Sequence, residues 1–96
     1  MRVAVIGGGG REHALARALA ASPRVERVLA VPGNDGMAAM GVECLGDDPL
    51  DLDGAVRRLA DRRVDLAVVG PEAPLVAGLA DRLEAAGIAV FGPRQA

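Results

Sequence analysis

At 96 residues the chain has room for one domain with a modest core, and its 51% apolar content argues for a folded chain. A net charge of −2 gives no electrostatic reason to expect a nucleic-acid partner, and no apolar run reaches the length of a membrane span. All eleven basic residues are Arg, there is no Thr, Tyr or Trp, and Ser22, His13, Cys44 and Phe91 each stand alone of their kind. That inventory excludes a Walker phosphate loop, a Schiff-base lysine, an internal disulfide and an aromatic base-stacking platform, and it argues against a zinc site of the usual ligands.

The chain opens on Arg2–Gly7, a short apolar run that reads as a first strand rather than a signal segment, so a cytoplasmic protein is expected. Four glycines, Gly7–Gly10, lead into a helical pattern from Glu12 to Ala21, with apolar positions Ala14, Leu15, Ala18 and Leu19. Ser22-Pro23 stops it, and Ser22 has no nucleophile-elbow context. Residues 25–31 form a second strand, closed by the turn signal Pro32-Gly33-Asn34-Asp35-Gly36. Residues 42–45 suggest a short edge strand. Asp48-Pro49 reads as a cap and first helical residue, and Leu52, Val56, Leu59 and Ala60 mark one face of a helix reaching about Arg62. Residues 64–70 form a third main strand. Pro74 opens a further helix with apolar positions Leu75, Val76, Leu79, Ala80 and Leu83, and Gly87 stands where a C-terminal helix glycine belongs. Residues 88–91 form a last strand, ended by Gly92-Pro93.

Strands alternating with helices predict an α/β domain: a three-layer, Rossmann-like parallel sheet with right-handed crossovers. The expected order of the main strands is 2-1-3-4, with the 42–45 segment outside strand 2. Such sheets bind ligands at the carboxyl ends of strands where the order reverses, here between the loop 7–10 and the loop 70–72.

Glycine carries a backbone entropy cost, so four in succession need a reason. One reading is a tight turn that lets the helix pack on the sheet. The other is a cradle, in which a phosphate approaches the unpaired N–H groups of a helix start. The dinucleotide fingerprint G-x-G-x-x-G does not complete: a start at Gly7 places Glu12 at the third glycine, and a start at Gly8 places His13 there. A single phosphate monoester fits better.

Glu72 has two readings, an acid that gains from a helix N-terminus or an acceptor for vicinal sugar hydroxyls. Asn34 reads as closing its own turn or lining the site. Arg11 and Glu12 read as first-turn residues or as site residues, and His13 as structural or surface. The pairs Arg57-Arg58 and Arg62-Arg63 read as a solvated helix end. The 96 residues alone do not carry the parts of a complete enzyme.

Four stretches occur in order: "VIGGGGREHALA" at 5–16, "PGN" at 32–34, "VVGPEAPLVAG" at 68–78 and "FGP" at 91–93. Together they resemble the N-terminal domain of the glycinamide ribonucleotide synthetase (phosphoribosylamine–glycine ligase) family, from Met1 to about Arg94. After "PGN" that family has Gly-Thr, where this chain has Asp35-Gly36-Met37. The resemblance implies a single pre-ATP-grasp domain over 1–96, with the ATP-grasp body that follows it in the family lying outside this chain. It implies a ligase that joins glycine to 5-phosphoribosylamine with ATP and magnesium or manganese, the ATP, metal and catalytic groups being carried by that body. Gly8, Gly9, Gly10, Arg11 and Glu12 would border the phosphate or amine end of phosphoribosylamine, Glu72 would hold ribose hydroxyls, and Asn34 would line the rim. The chain alone is then expected to be inactive, with no nucleic-acid or membrane partner. Two alternatives stay open: a stand-alone dinucleotide- or nucleotide-sugar-binding module, and the first domain of another ATP-grasp ligase.

Overall fold

Val3 to Ile6 are buried at every position, as in a strand covered on both faces, and they form the centre of β1 (Arg2–Gly7). The computed structural model describes residues 1–7, 9–45, 52–69 and 76–91. Five parallel strands, β1 with β2 (Arg27–Pro32), β3 (Glu43–Cys44), β4 (Leu66–Val69) and β5 (Ala89–Phe91), lie in the order β3-β2-β1-β4-β5. This is the expected order, with residues 42–45 supplying the edge beyond β2. Ile6 pairs with Val31 on one side and Val69 on the other, so β1, β2 and β4 end together.

Alternation along the strands splits the core between the two faces. Ala4, Ile6, Leu29, Val31, Ala67 and Val69 pack with Ala55, Val56 and Leu59 of α3 (Leu52–Asp61) and Leu79 and Leu83 of α4 (Val76–Ala85). Val5, Val28 and Ala30 pack on the other face with Ala16 of α1 (Gly10–Ala20) and Met37 of α2 (Asp35–Ala39). α4 ends with Gly87 at φ +86, as its sequence position predicts, and a left-handed Arg63 follows α3.

Three local readings are corrected. The expected turn at 32–36 leads directly into α2, a five-residue helix, because Asn34 takes extended backbone and caps it: Met37 N–H donates to Asn34 Oδ1 at 2.8 Å. The phase of α1 is shifted: Ala14 and Ala18 are exposed, Leu15 and Leu19 half-buried, and the buried residues are Glu12 and Ala16. Alanine suits either side of a helix and marks the core face poorly. On α3, Ala60 is likewise exposed and Ala55 is buried instead.

The solvated-end reading of Arg62 also fails. Its Nε donates to Glu43 Oε2 at 2.5 Å while Arg27 Nη2 meets Glu43 Oε1 at 2.6 Å, tying the end of α3 to β3 and β2. The hydrogen bond from Arg62, helped by the charge of Arg27, holds the Glu43 carboxyl below its usual value of 4.5. Cys44 is a free thiol. Asp48-Pro49, Gly70-Pro71 and Pro74 lie outside the described residues.

Candidate functional site

The carboxyl end of β1 is shaped around one buried acid. Gly7 leaves the strand at φ +134, a region side chains rarely adopt, and a Cβ on it would overlap the Glu12 carboxylate. The first glycine is therefore required by the chain itself: it turns the backbone and leaves room for Glu12. Glu12 is only 3% exposed, and its buried Oε2 has no hydrogen-bond partner among the described residues. A buried carboxyl oxygen in that state is costly and calls for an explanation.

Gly9 and Gly10 differ from Gly7. Gly9 is the N-cap of α1, extended at φ −88 and ψ −176, and offers no side-chain cap. Its carbonyl accepts from His13 N–H at 3.0 Å, which closes the first turn. The N–H groups of a first helical turn have no intrahelical acceptor and carry partial positive charge. Gly10 has no left-handed backbone, and a Cβ built on it would meet nothing within 4 Å. Neither its backbone conformation nor packing among the described residues requires glycine at position 10.

The loop after β2 is drawn to the same place. Gly33 N–H donates to Gly7 O at 3.4 Å, and a Cβ on Gly36 would overlap the His13 ring, so the first turns of α1 and α2 abut. Asn34 lies at this junction as the cap of α2, with its carbonyl receiving the Cys44 thiol at 3.5 Å. His13 is half-buried there, and its enclosed Nε2 has no hydrogen-bond partner among the described residues. Arg11 is exposed on the first turn of α1.

Of the predicted site residues, then, Gly9, Gly10, Arg11, Glu12 and Asn34 gather at the carboxyl ends of β1 and β2. Gly8 and Glu72 lie outside the described residues. β4 ends at Val69 beside Ile6, which is the switch point of the strand order. Sequence reading missed that Glu12 occupies the buried phase of α1 and that His13 packs between the two loops. The spacing Glu12, Ala16, Leu19 carried the first signal, because it is the i, i+4, i+7 stripe of a core-facing helix with an acid at its head. Among the described residues no group of three or more His, Cys, Asp or Glu is placed to hold a metal ion, and no helix is long and apolar enough to cross a membrane. Nothing described fits a magnesium site.

Layers, strand order and a glycine-rich first loop at the switch point define a Rossmann-like α/β domain. A Rex-family repressor of known crystal structure shares the fold, with a TM-score of 0.67 over 95% of this chain and 44% of that one, at 19% identity. The family described as "Phosphoribosylglycinamide synthetase, N domain" matches residues 1–96, and the chain belongs to it. Among curated relatives, it is 54% identical over 97 residues to a phosphoribosylamine–glycine ligase of Brucella melitensis and 49% identical over 96 residues to one of Agrobacterium fabrum. A phosphoribosylamine–glycine ligase of Caldanaerobacter subterraneus is 40% identical over 93 residues, which is 97% of this chain. The chain spans 22% of the length of each of these relatives.

Proposed function

We propose that this domain supplies the phosphoribosyl side of the active site of a phosphoribosylamine–glycine ligase, an enzyme of purine biosynthesis. In the whole enzyme ATP, with magnesium or manganese, phosphorylates the glycine carboxylate. The amine of 5-phosphoribosylamine then attacks the acyl phosphate to give glycinamide ribonucleotide, ADP and phosphate. The phosphoryl chemistry belongs to the remainder of the enzyme, and these 96 residues catalyse no ligation alone.

Within the domain, the first turn of α1 offers N–H groups to the phosphoribosylamine, with Gly8, Gly9, Gly10 and Arg11 bordering it. An acceptor oxygen that no described residue satisfies is suited to a hydrogen-bond donor and not to a phosphate, so Glu12 marks the amine end of the substrate rather than the phosphate. Asn34 forms the rim through the α2 cap that it makes. Glu72, three residues beyond Val69 in sequence, accepts the ribose hydroxyls.

The observation that carries this reading is Gly10. A turn-only account requires each glycine of the loop to answer to a strained φ or a close neighbour, as Gly7 does. Gly10 answers to neither. A ligand that must reach the backbone does require it. In the full-length ligase, Gly10→Ala should leave the thermal midpoint unchanged or slightly raised, since Ala favours a helix by up to about 1 kcal/mol. The Michaelis constant for phosphoribosylamine should rise about tenfold, equivalent to ~1.4 kcal/mol. Unchanged kinetics would return the loop to a turn.

A further inference from the structure

We infer that Glu12 is a catalytic residue of the ligase: its buried carboxylate takes the proton that the attacking amine loses. The inference rests on the proposed function, which puts the amine of phosphoribosylamine at Glu12, and adds a chemical task to that contact. As the amine nitrogen bonds to the acyl carbon of glycyl phosphate, the C–O bond to phosphate breaks and phosphate leaves with the electron pair. The nitrogen then carries one proton more than an amide holds. That proton passes to a Glu12 carboxylate oxygen, and the neutral amide of glycinamide ribonucleotide remains.

A general base needs a free lone pair and a place beside the reacting atoms. Among the described residues Glu12 is the one buried charged or polar side chain. Its Oε2 has no hydrogen-bond partner there, and no described Arg or His forms an ion pair with it. It lies against Gly7 at the carboxyl end of β1, which is the β1 side of the switch point. The chain keeps this place open, since any side chain on Gly7 would overlap the carboxylate.

Other titratable side chains are worse placed. Glu43 gives both oxygens to arginines, and the hydrogen bond from Arg62 lowers its affinity for a proton. Asp65 accepts from the Arg2 N–H at the opposite end of β1, and Asp35 is exposed on α2. His13 also has an unpartnered nitrogen among the described residues, but its ring packs against Gly36, after β2 and away from β4.

The test is single-turnover formation of glycinamide ribonucleotide by the full-length ligase, loaded with ATP and glycine and mixed with phosphoribosylamine at a series of concentrations. Glu12→Gln keeps a carbonyl acceptor for the amine but is not a base. Its saturating rate should fall about a hundredfold or more, with the half-saturating phosphoribosylamine concentration within about threefold of the parent. Glu12→Leu removes the acceptor as well, so it should also raise the half-saturating concentration about tenfold. A Gln enzyme as fast as the parent, beside an impaired Leu enzyme, would overturn the base and leave the amine contact standing. Parent kinetics in both variants would overturn the base and the placement of the amine together. If Glu12→Gln does not fold, Glu12→Leu decides alone, and a saturating rate within about threefold of the parent overturns the inference.

Discussion

Glu12 stands where the phase of α1 places core-facing side chains, directly beneath the glycine that leaves β1. No described residue donates to its buried Oε2, and a buried acceptor left without a hydrogen bond is costly. On the proposed function, stability and activity pull apart at this residue. Glu12→Leu, which removes the unsatisfied buried oxygen, should stabilise the domain by about 1 kcal/mol or more. For a domain of this size that is roughly 4–8 °C in thermal midpoint. In the full-length ligase the same change should depress kcat/KM for phosphoribosylamine at least about tenfold. A lowered midpoint in a thermal scan would mean that the carboxylate has a structural partner instead. Gly10 makes the complementary case: no described neighbour and no strained backbone demands glycine there, and the proposed ligand does.

At the scale of elements, the strands were legible because parallel-sheet strands are continuous apolar runs, and Arg2–Gly7 has the predicted bounds. The helices were harder. α1 is rich in alanine, which carries little phase information, so periodicity alone places Ala14 and Ala18 inward and leaves Glu12 open between a first-turn and a site residue. α2 hid inside a string of turn-forming residues, where Asn34 is a helix cap that resembles a turn former. Arg62 looked like one of several solvated arginines because its partner Glu43 is distant in sequence. That pair makes a pH-dependent prediction. The folded-state pKa of Glu43 is lowered, so its stabilisation is present above about 4.5 and is lost as pH falls through the folded value. Both arginines are more than a third exposed, and solvent screening limits the contribution to roughly 1 kcal/mol or less. Glu43→Gln should therefore melt earlier than the parent at pH 7, and the gap should close below pH 4.5. A gap that persists in acid would show that the carboxylate charge is not what ties α3 to β3.

For the whole molecule, strand order follows from the rules of parallel sheets, and the order in turn fixes the switch point between β1 and β4. The site was legible to the extent that its residues sit at strand ends: Gly9, Gly10, Arg11, Glu12 and Asn34 do come together. The buried carboxylate and the enclosed His13 ring were not legible, because they depend on how α1 and α2 pack against each other. The central claim is that phosphoribosylamine lies across the switch point, with its backbone cradle on the β1 side and its ribose acceptor on the β4 side. The most direct measurement is steady-state kinetics of the full-length ligase carrying Glu72→Ala, with each of the three substrates varied in turn. Hydrogen bonds to a charged acceptor contribute roughly 1.5–3 kcal/mol each, so the Michaelis constant for phosphoribosylamine should rise at least about tenfold. The constants for ATP and glycine should stay near their parent values. Normal phosphoribosylamine kinetics, or equal losses for all three substrates, would contradict the account.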